Sequence, residues 1–524
     1  MRKWLPLVAI CAGTFMLLVD VTIVTVALPS LAADLHTSFG SLQWVVDAYA
    51  LALAALVLGA GSLADRLGHR RVFIAGLIIF AASSLACGLA TGANVLISAR
   101  AVQGIGGAGM FAATFPLING NYAGRDRGTA YGMWGAVAGA SAAIGPVLGG
   151  VLTQELSWRW IFFVNPPVSV GVIALAWILT DTHVGAQVDV PGILTLTAAA
   201  AAATYGFIRA GSDGWAQAGT WGILVIAAVL VAVFALVEWR TAEPMLDLRL
   251  LRHRVFTGML LAGLGLNFAA FAYLTYASIW LQSVLRLSPV HAGLVSAPLS
   301  LTAFVVAGGS GRALHGARPD RVIGTGMVLI GIGGLVGMAL VHGSAGWPQL
   351  IPGYVVVGLG VGLVSPMLGS WTMASVPRER AGMAGGAVNM MRQLGYAFGI
   401  ALIGTVFAAR AAATIADRRV AGAAQLARAL AGGQARQVVH AAGIRAGSVA
   451  AVLHVASLSG LQSAFCVAGF AGLAVGLAVF FLVRQHRPDP AQPSASTTAG
   501  TPDNAASAVG ASLPPGGRDG AAAR

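Results

Sequence analysis

The stretch GSLADRLGHRR, residues 61–71, decides the fold, because it concentrates charge in a chain that is only 9% charged. It lies between two almost wholly apolar runs, 42–60 and 72–92. Each run is long enough to cross the roughly 30 Å hydrocarbon layer of a membrane as a helix. The sequence therefore predicts a loop between two membrane-spanning helices at this point.

The composition excludes a soluble globular protein. Hydrophobic residues make up 57% of the 524 residues, against 31 basic and 18 acidic ones. The net charge of +13 comes from residues scattered over many short loops, which does not favour a nucleic-acid surface. Cys11, Cys87 and Cys466 lie in separate apolar runs, without metal-site or disulfide spacing. We expect no metal and no cofactor.

Apolar windows of about 19 residues or more predict an all-α membrane protein with fourteen spans, so that both termini lie on one side. The spans are expected at 5–28, 42–62, 72–92, 95–119, 130–152, 162–180, 191–209, 219–239, 256–281, 290–311, 321–341, 349–371, 382–408 and 459–483. The start imitates a signal peptide, but Asp20, late in the first run, favours an uncleaved span.

The distribution of Lys and Arg predicts the orientation. Twenty of them fall on the side of the N-terminus and nine on the other, six of those nine within the long segment 409–458. Long loops are largely exempt from the positive-inside rule. We therefore expect a multi-pass protein of the inner (cytoplasmic) membrane with both termini in the cytoplasm.

Two segments differ from the rest of the chain. Residues 409–458 are rich in Ala and Arg and predict an external loop with surface helices that lie on the bilayer. Residues 485–524 are rich in Pro, Ser, Ala and Gly and predict a disordered tail.

The charged loop has a second copy. Shifting the chain by 248 residues aligns it with GGSGRALHGAR, residues 308–318, which also follows the second span of a six-span block. The matches are Gly61 with Gly309, Ser62 with Ser310, Gly68 with Gly316 and Arg70 with Arg318. Asp65 aligns with Ala313, so the second copy lacks the acid.

At these residues the chain resembles the major facilitator superfamily. Its loop signature is met by Gly61, Leu63, Ala64, Asp65, Arg66, Gly68 and Arg70, followed by Arg71, with His69 as a departure. LVDVTIVTVALP (18–29), RAVQGIGGAG (100–109), GPVLGG (145–150), WRWIFFVNPP (158–167), EPMLDLRLLRHRVF (243–256) and MRQLGYAFG (391–399) resemble motifs of its fourteen-span drug:proton antiporters. LQWVVDAYAL (42–51) is similar to actinomycete exporters of the methylenomycin-resistance kind.

The resemblance implies the major facilitator fold: two six-helix bundles around a central cavity, with two extra central helices between them. We expect the first bundle in 1–180, the extra helices and linker in 181–254, and the second bundle in 255–484.

Buried acids are the first candidates for proton coupling, since a carboxylate inside a membrane is costly unless it is paired, hydrated or protonated. Asp20 lies deep in the first span and Asp47 a short way into the second. The alternative for both is a hydrated position near the outer surface. The resemblance gives Arg100 a part in proton coupling, and its alternative is an arginine that snorkels to the interface.

The loop 61–71 and the GPVLGG segment are predicted to control access to the cavity. Asp65 can accept hydrogen bonds from a helix N-terminus or pair with an arginine, and so hold the two halves together. Its alternative is a positive loop that only sets topology. Pro146 can bend its helix, while Gly145, Gly149 and Gly150 make a flat face that seals the cavity in the resembled antiporters. Tight packing without gating is the alternative.

Substrate contacts are predicted from polar and aromatic residues at helical spacing. They are Trp44, Tyr49, Asn267, Tyr273, Tyr276, Asn389, Arg392 and Gln393, with Trp280 on the same face as the two tyrosines. Aromatic packing or an interfacial belt is the alternative for the stripe, and a snorkelling arginine is the alternative for Arg392.

These residues predict a proton-driven exporter of a drug-like or antibiotic compound, with the substrate, protons and the bilayer as partners and a monomer as the working unit. Transport of a small polar metabolite is the alternative within transport. The spacing of His315 and Asp320 matches some acyltransferases, which leaves a membrane enzyme as a remote alternative. GIGGAG (104–109) matches a dinucleotide fingerprint but lies inside a predicted span, where small residues favour helix packing.

Overall fold

The computed structural model describes residues 2–35, 39–181, 189–212, 214–241, 244, 246, 248–313, 317–343, 345–377, 380–418, 420, 422–433 and 446–483. Within these ranges every regular element is a helix. The predicted disordered tail, 485–524, lies outside the described residues.

Seven helices form the first bundle. They are α1 (Leu5–Leu35), α2 (Phe39–Leu67), α3 (His69–Gly88), α4 (Ala93–Asn121), α5 (Gly124–Glu155), α6 (Trp160–Phe163) and α7 (Asn165–Ala176). The short α6 and α7 occupy the predicted sixth span. Two further helices follow, α8 (Val190–Ser212) and α9 (Ala218–Arg240).

The second bundle comprises α10 (Arg254–Ala270), α11 (Ala272–Ile279), α12 (Pro289–Ala313), α13 (Pro319–Leu340), α14 (Ile351–Ala374), α15 (Ala381–Asp417), α16 (Ala423–Ala431) and α17 (Ala446–Val483). A π-helical turn, Trp280–Val284, continues α11. Short 3₁₀ helices lie at Arg2–Trp4, Leu248–Arg252 and Trp347–Leu350.

The fourteen predicted spans correspond to the helices of the described residues. Twelve are long and apolar enough to cross a membrane, and the bent α5 makes a thirteenth. The short apolar helix pair Trp160–Ala176 fills the remaining position. In α5 the segments Gly124–Ser141 and Ile144–Glu155 meet at 44°. Pro146 has no N–H to donate to the carbonyl four residues earlier. One hydrogen bond of the helix is therefore missing at the bend.

The two bundles contact each other mainly through two helix pairs, α2 with α15 and α5 with α12. We use "motif end" for the end of the helices that carries residues 61–71, and "far end" for the opposite one. The extra helix α8 packs against both α2 and α15, and α9 packs on α8. Along this contact Trp44 meets Tyr205, and Phe398 meets Phe207, with ring centroids 5.7 and 5.0 Å apart.

The Ala/Arg-rich segment contains more spanning helix than the hydropathy windows predict. The thirteenth span continues to Asp417, and the last helix already begins at Ala446. Between them α16 buries Leu426 and Leu430 and packs against α15. Charged and small residues at the helix ends lower the window average, although the backbone stays helical. Residues 434–445 lie outside the described part of the chain.

Candidate functional site

A buried polar cluster lies inside the first bundle, centred on Asp20 of α1 and Arg100 of α4. Their exposed fractions are 1% and 0%, and Arg100 Nη1 lies 2.5 Å from Asp20 Oδ2. At 1.5 Å per residue, Asp20 is about 22 Å along α1 from its start. Neither position is at a helix end, so the structure places both in the bundle interior, away from the hydrated and snorkelling alternatives.

Two amides complete the coordination of Asp20. Gln103 Nε2 and Asn165 Nδ2 donate to Asp20 Oδ1 over 3.0 and 3.3 Å, and Asn165 also donates to Ser84 Oγ over 3.0 Å. Sequence reasoning did not identify Gln103, Asn165 or Ser84. The available signal was a polar residue one helical turn after Arg100 and an asparagine within the WRWIFFVNPP motif.

Arg100 has partners besides the acid. Its Nε donates to the Val45 carbonyl over 3.0 Å, and its Nη1 donates to Gln103 Oε1 over 2.8 Å. The guanidinium carbon lies 4.2 Å from the Tyr49 ring centroid, so Tyr49, predicted as a substrate contact, belongs to this cluster. Arg100 Nη2 is buried without a hydrogen-bond partner among the described residues. Asp47 is half-buried on the same helix as Tyr49.

At the motif end, Asp65 binds the first turn of α15. Its Oδ1 accepts from the Gly382 N–H over 2.7 Å and its Oδ2 from the Met383 N–H over 2.8 Å. His69 Nε2 lies 3.0 Å from Asp65 Oδ1. A carboxylate at this position satisfies N–H groups that have no partner within the helix and faces the positive end of its dipole. Asp65 therefore joins the two bundles.

Glycines permit this contact. A Cβ on Gly61 would lie 2.9 Å from the Gly382 carbonyl carbon, and one on Gly382 would lie 2.6 Å from Asp65 Oδ1. Gly386 faces the backbone of Leu58 in the same way, at 2.8 Å from its Cα. The backbones of α2 and α15 thus touch where the carboxylate bridges them.

The basic residues of the loop bind within the first bundle. The Arg70 N–H donates to Asp181 Oδ1 over 3.1 Å, and Arg71 Nε lies 3.5 Å from Asp181 Oδ2. Gly68 has a φ of 103°, and a Cβ there would lie 2.5 Å from the same Asp181 carboxylate. Arg66 is exposed. The loop thus fastens the start of α3 to the chain that follows α7.

The GPVLGG segment lies in the far half of α5 and contacts two helices. A Cβ on Gly149 would meet the Ile23 carbonyl oxygen at 2.8 Å, and one on Gly145 would lie still closer to the Thr22 hydroxyl of the same helix, α1. Gly150 faces Val290 of α12, and Pro146 faces Gly293. The segment therefore packs α5 against both α1 and α12.

In the second bundle Arg392 of α15 contacts Asn267 of α10. Both residues are among the predicted cavity residues. Arg392 Nε donates to Asn267 Oδ1 over 3.4 Å. Asn389, one turn earlier on α15, donates from Nδ2 to the Phe111 carbonyl of the first bundle over 3.2 Å. Gln393 is half-buried beside them.

The aromatic stripe packs inside the second bundle. Tyr273 and Trp280 are fully buried and Tyr276 is 6% exposed. The Tyr273 ring lies 4.9 Å from that of Phe465, and the Tyr276 ring 5.4 Å from that of Phe407. A helix break at Phe271 separates these residues from Asn267. Trp44 is 36% exposed, at the α8 contact.

The alternative sites receive no support. Asp320 pairs with Arg318 over 2.8 Å, and its proposed partner His315 lies outside the described residues. In the described part of the chain no group of three or more His, Cys, Asp or Glu side chains is arranged to hold a metal ion.

Comparisons with known proteins agree with this fold. The model of the Major Facilitator Superfamily matches residues 10–400. The tetracenomycin C resistance and export protein of Streptomyces glaucescens is 32% identical, over 94% of each chain. The puromycin resistance protein of Streptomyces alboniger is 37% identical, over 81% of this chain and 85% of that one. The crystal structure of the human organic anion transporter MFSD10 superposes with a TM-score of 0.60 at 13% identity, covering 91% of this chain and 99% of that one.

The family match and the membrane-spanning helices define a membrane transporter rather than an enzyme. The chain belongs to the Major Facilitator Superfamily, and its named relatives are drug resistance and export proteins.

Proposed function

We propose that the protein is a proton-coupled antiporter that exports a drug-like or antibiotic compound across the cytoplasmic membrane. It works as a monomer with both termini in the cytoplasm. The observation that carries the proposal is the buried Asp20–Arg100 pair, because a charged pair in a membrane helix bundle marks a proton or ion pathway. The resistance and export proteins among the relatives support the class of substrate.

Asp20 is the proton carrier in this mechanism. When Asp20 is ionised, Arg100 neutralises it. When a proton from the outside neutralises the carboxylate, Arg100 keeps the Val45 carbonyl, Gln103 and the Tyr49 ring as partners. Asp20 can thus lose its negative charge while the Arg100 guanidinium keeps other polar and aromatic partners. Release of the proton to the cytoplasm then restores the pair.

The contact between Asp65 and α15 is the gate of the cytoplasmic side. While it holds, the two bundles are closed at the motif end, which is the outward-facing arrangement. Breaking it exposes the α15 N–H groups and the carboxylate to water, which solvates both. The gate can therefore open at a cost of about 1.5–3 kcal/mol for each hydrogen bond to the carboxylate, because water replaces the lost partners.

The experiment begins with an efflux panel of antibiotics and dyes in a pump-deficient host, in which export of small polar metabolites would favour the alternative substrate class. The exported compound is then tested in everted vesicles energised inside-acid. One pH unit supplies about 1.4 kcal/mol per coupled proton, enough for about ten-fold accumulation. Wild-type vesicles should reach this ratio and release protons when substrate is added.

Asp20→Asn should lower that ratio to about one while substrate binding and downhill exchange persist, and Asp20→Glu should retain part of it. Because loss of one partner of a buried ion pair costs about 3–5 kcal/mol, membrane yield is compared with that of the double variant Asp20→Asn/Arg100→Gln. Asp47→Asn is the matched control, with a smaller loss. Gradient-dependent accumulation by Asp20→Asn at the wild-type rate would refute Asp20 as the proton carrier.

A further inference from the structure

Arg392 is a second buried arginine, and its surroundings differ from those of Arg100. It is 7% exposed and projects from α15 toward the first bundle. Its guanidinium carbon lies 5.7 Å from the Phe111 ring centroid and 5.8 Å from that of Trp134, which belong to α4 and α5. Asn267 holds its Nε from the other side. The arginine therefore lies at the interface of the two bundles.

Among the described residues no carboxylate pairs with this arginine. In the described part of the chain Arg392 forms no ion pair, and Asn267 is the partner of its only hydrogen bond. Its two terminal guanidinium nitrogens have no hydrogen-bond partner among the described residues. Neither nitrogen is fully enclosed, so each keeps some accessible surface. A buried arginine without a counter-charge is costly, and a planar guanidinium binds carboxylate-type oxygens through two parallel hydrogen bonds.

A second polar group nearby lacks a partner. Asn389, one turn before Arg392 on α15, is fully buried, and its Oδ1 has no donor among the described residues. Its Nδ2 is held by the Phe111 carbonyl, which fixes the amide. The site thus offers a charged donor with accessible nitrogens, beside an acceptor oxygen and two aromatic rings that are enclosed in this conformation. A planar ligand that carries both an acidic oxygen and a hydrogen-bond donor matches all of them.

We propose that Arg392 selects the substrate by its charge, and that the exported compound is an aromatic anion with a carboxylate or phenolate oxygen bound to this guanidinium. The inference rests on the proposed export function and names its substrate class. When the two bundles separate, the ring system packs against Phe111 and Trp134, and Asn389 accepts from a donor on the ligand. Loading the anion supplies the missing counter-charge.

The competing role for Arg392 is a fixed contact between the bundles through its two cation–π interactions. That role does not distinguish anions from cations. Two dyes with the same xanthene ring do: fluorescein is an anion at pH 7.5, and rhodamine 123 is a cation. Binding of each dye to the purified full-length protein is measured by fluorescence polarisation.

Wild-type protein should bind fluorescein, and Arg392→Gln should weaken that binding about ten-fold or more, the loss expected for one charge-assisted bidentate pair. Arg392→Lys, which keeps the charge but loses the planar fork, should fall between the two. Rhodamine 123 binding should be unchanged or tighter in Arg392→Gln. Arg410→Gln removes an exposed arginine of the same helix and is the matched control.

Absence of fluorescein binding by the wild type, or equal weakening of both dyes in Arg392→Gln, would overturn the inference. Asp20→Asn separates it from the proposed function, because this variant should still bind fluorescein while failing to accumulate it in energised vesicles. Fluorescein binding that depends on Arg392, together with accumulation that ignores the proton gradient, would refute antiport and leave anion selection standing.

Discussion

The two helix pairs that join the bundles, α2 with α15 and α5 with α12, are built differently. At the motif end of the first pair, Asp65 bridges to the first turn of α15 and Gly61 touches the Gly382 backbone. The second pair packs small residues from the middle to the far end, with Gly139 against Ala303 and Gly150 against Val290. The first pair carries a polar latch, whereas the described residues of α5 and α12 meet through van der Waals contacts.

The sequence repeat makes this difference informative. Ala313 aligns with Asp65, and Gly309 aligns with Gly61, but nothing lies within 4 Å of a Cβ at Gly309. The start of α5, which corresponds to the start of α15, is equally open at Gly124. Within the described residues, the latch contact is formed by the copy of the loop that carries the acid, and residues 314–316 of the other copy lie outside them. The latch therefore acts on one side of the molecule.

The largest effect is expected from a side chain at the latch. Gly61→Val places atoms against the Gly382 backbone, which cannot move without separating α2 from α15. Overpacking of this kind costs about 1–3 kcal/mol, which shifts the closed–open equilibrium by about ten- to hundred-fold. Transport should fall accordingly at normal membrane yield.

Gly309→Val is the matched control, because the space around it is open and an exposed substitution changes stability by less than about 0.5 kcal/mol. Similar transport losses in both variants would show that the two copies of the loop are equivalent after all.

An intermediate effect is expected from the charge of the latch. Asp65→Asn keeps one acceptor oxygen for the α15 N–H groups but replaces the other by a donor. A hydrogen bond to a charged acceptor contributes about 1–1.5 kcal/mol more than one to a neutral acceptor, so transport should fall about ten-fold, less than the upper value for Gly61→Val. Transport and membrane yield are measured together.

Asp126→Asn provides the comparison, since this acid forms an exposed pair with Lys3 and its loss costs at most about 1 kcal/mol. Normal transport by Asp65→Asn would reduce the loop to a topology signal.

The smallest effects are expected in the GPVLGG segment. Gly149→Ala meets the Ile23 carbonyl oxygen, whereas Gly150→Ala meets the end of the Val290 side chain, which can rotate. Alanine in a helix gains up to about 1 kcal/mol over glycine, which offsets part of either collision. Gly149→Ala should raise proton leak through substrate-free proteoliposomes, and Gly150→Ala should leave it near the wild-type rate. Equal leak in both would argue against a sealing contact between α5 and α1.

The sequence determined the class of protein. Apolar runs of about 19 residues leave only a membrane helix bundle, and the prediction of the major facilitator fold is confirmed by the family match and the helices. The residue types predict two kinds of partner for Asp65, a helix N-terminus or an arginine. The structure shows the first, because the carboxylate accepts from N–H groups at the start of α15. These features follow from residue type and local spacing, so they could be predicted from one chain.

The tertiary structure decided which groups meet. Asn165 reaches Asp20 across the bundle, Tyr49 lies under Arg100 and not with the cavity residues, and Tyr273 packs into a bundle interior. Hydropathy indicates that a residue lies in a buried, apolar segment, but it does not indicate which neighbouring helix the residue faces. A membrane-spanning helix of low amphipathicity carries no sequence pattern that fixes its rotation about its own axis. Packing inside the first bundle gave Asp20 a counter-charge, whereas packing between the bundles left Arg392 without one among the described residues.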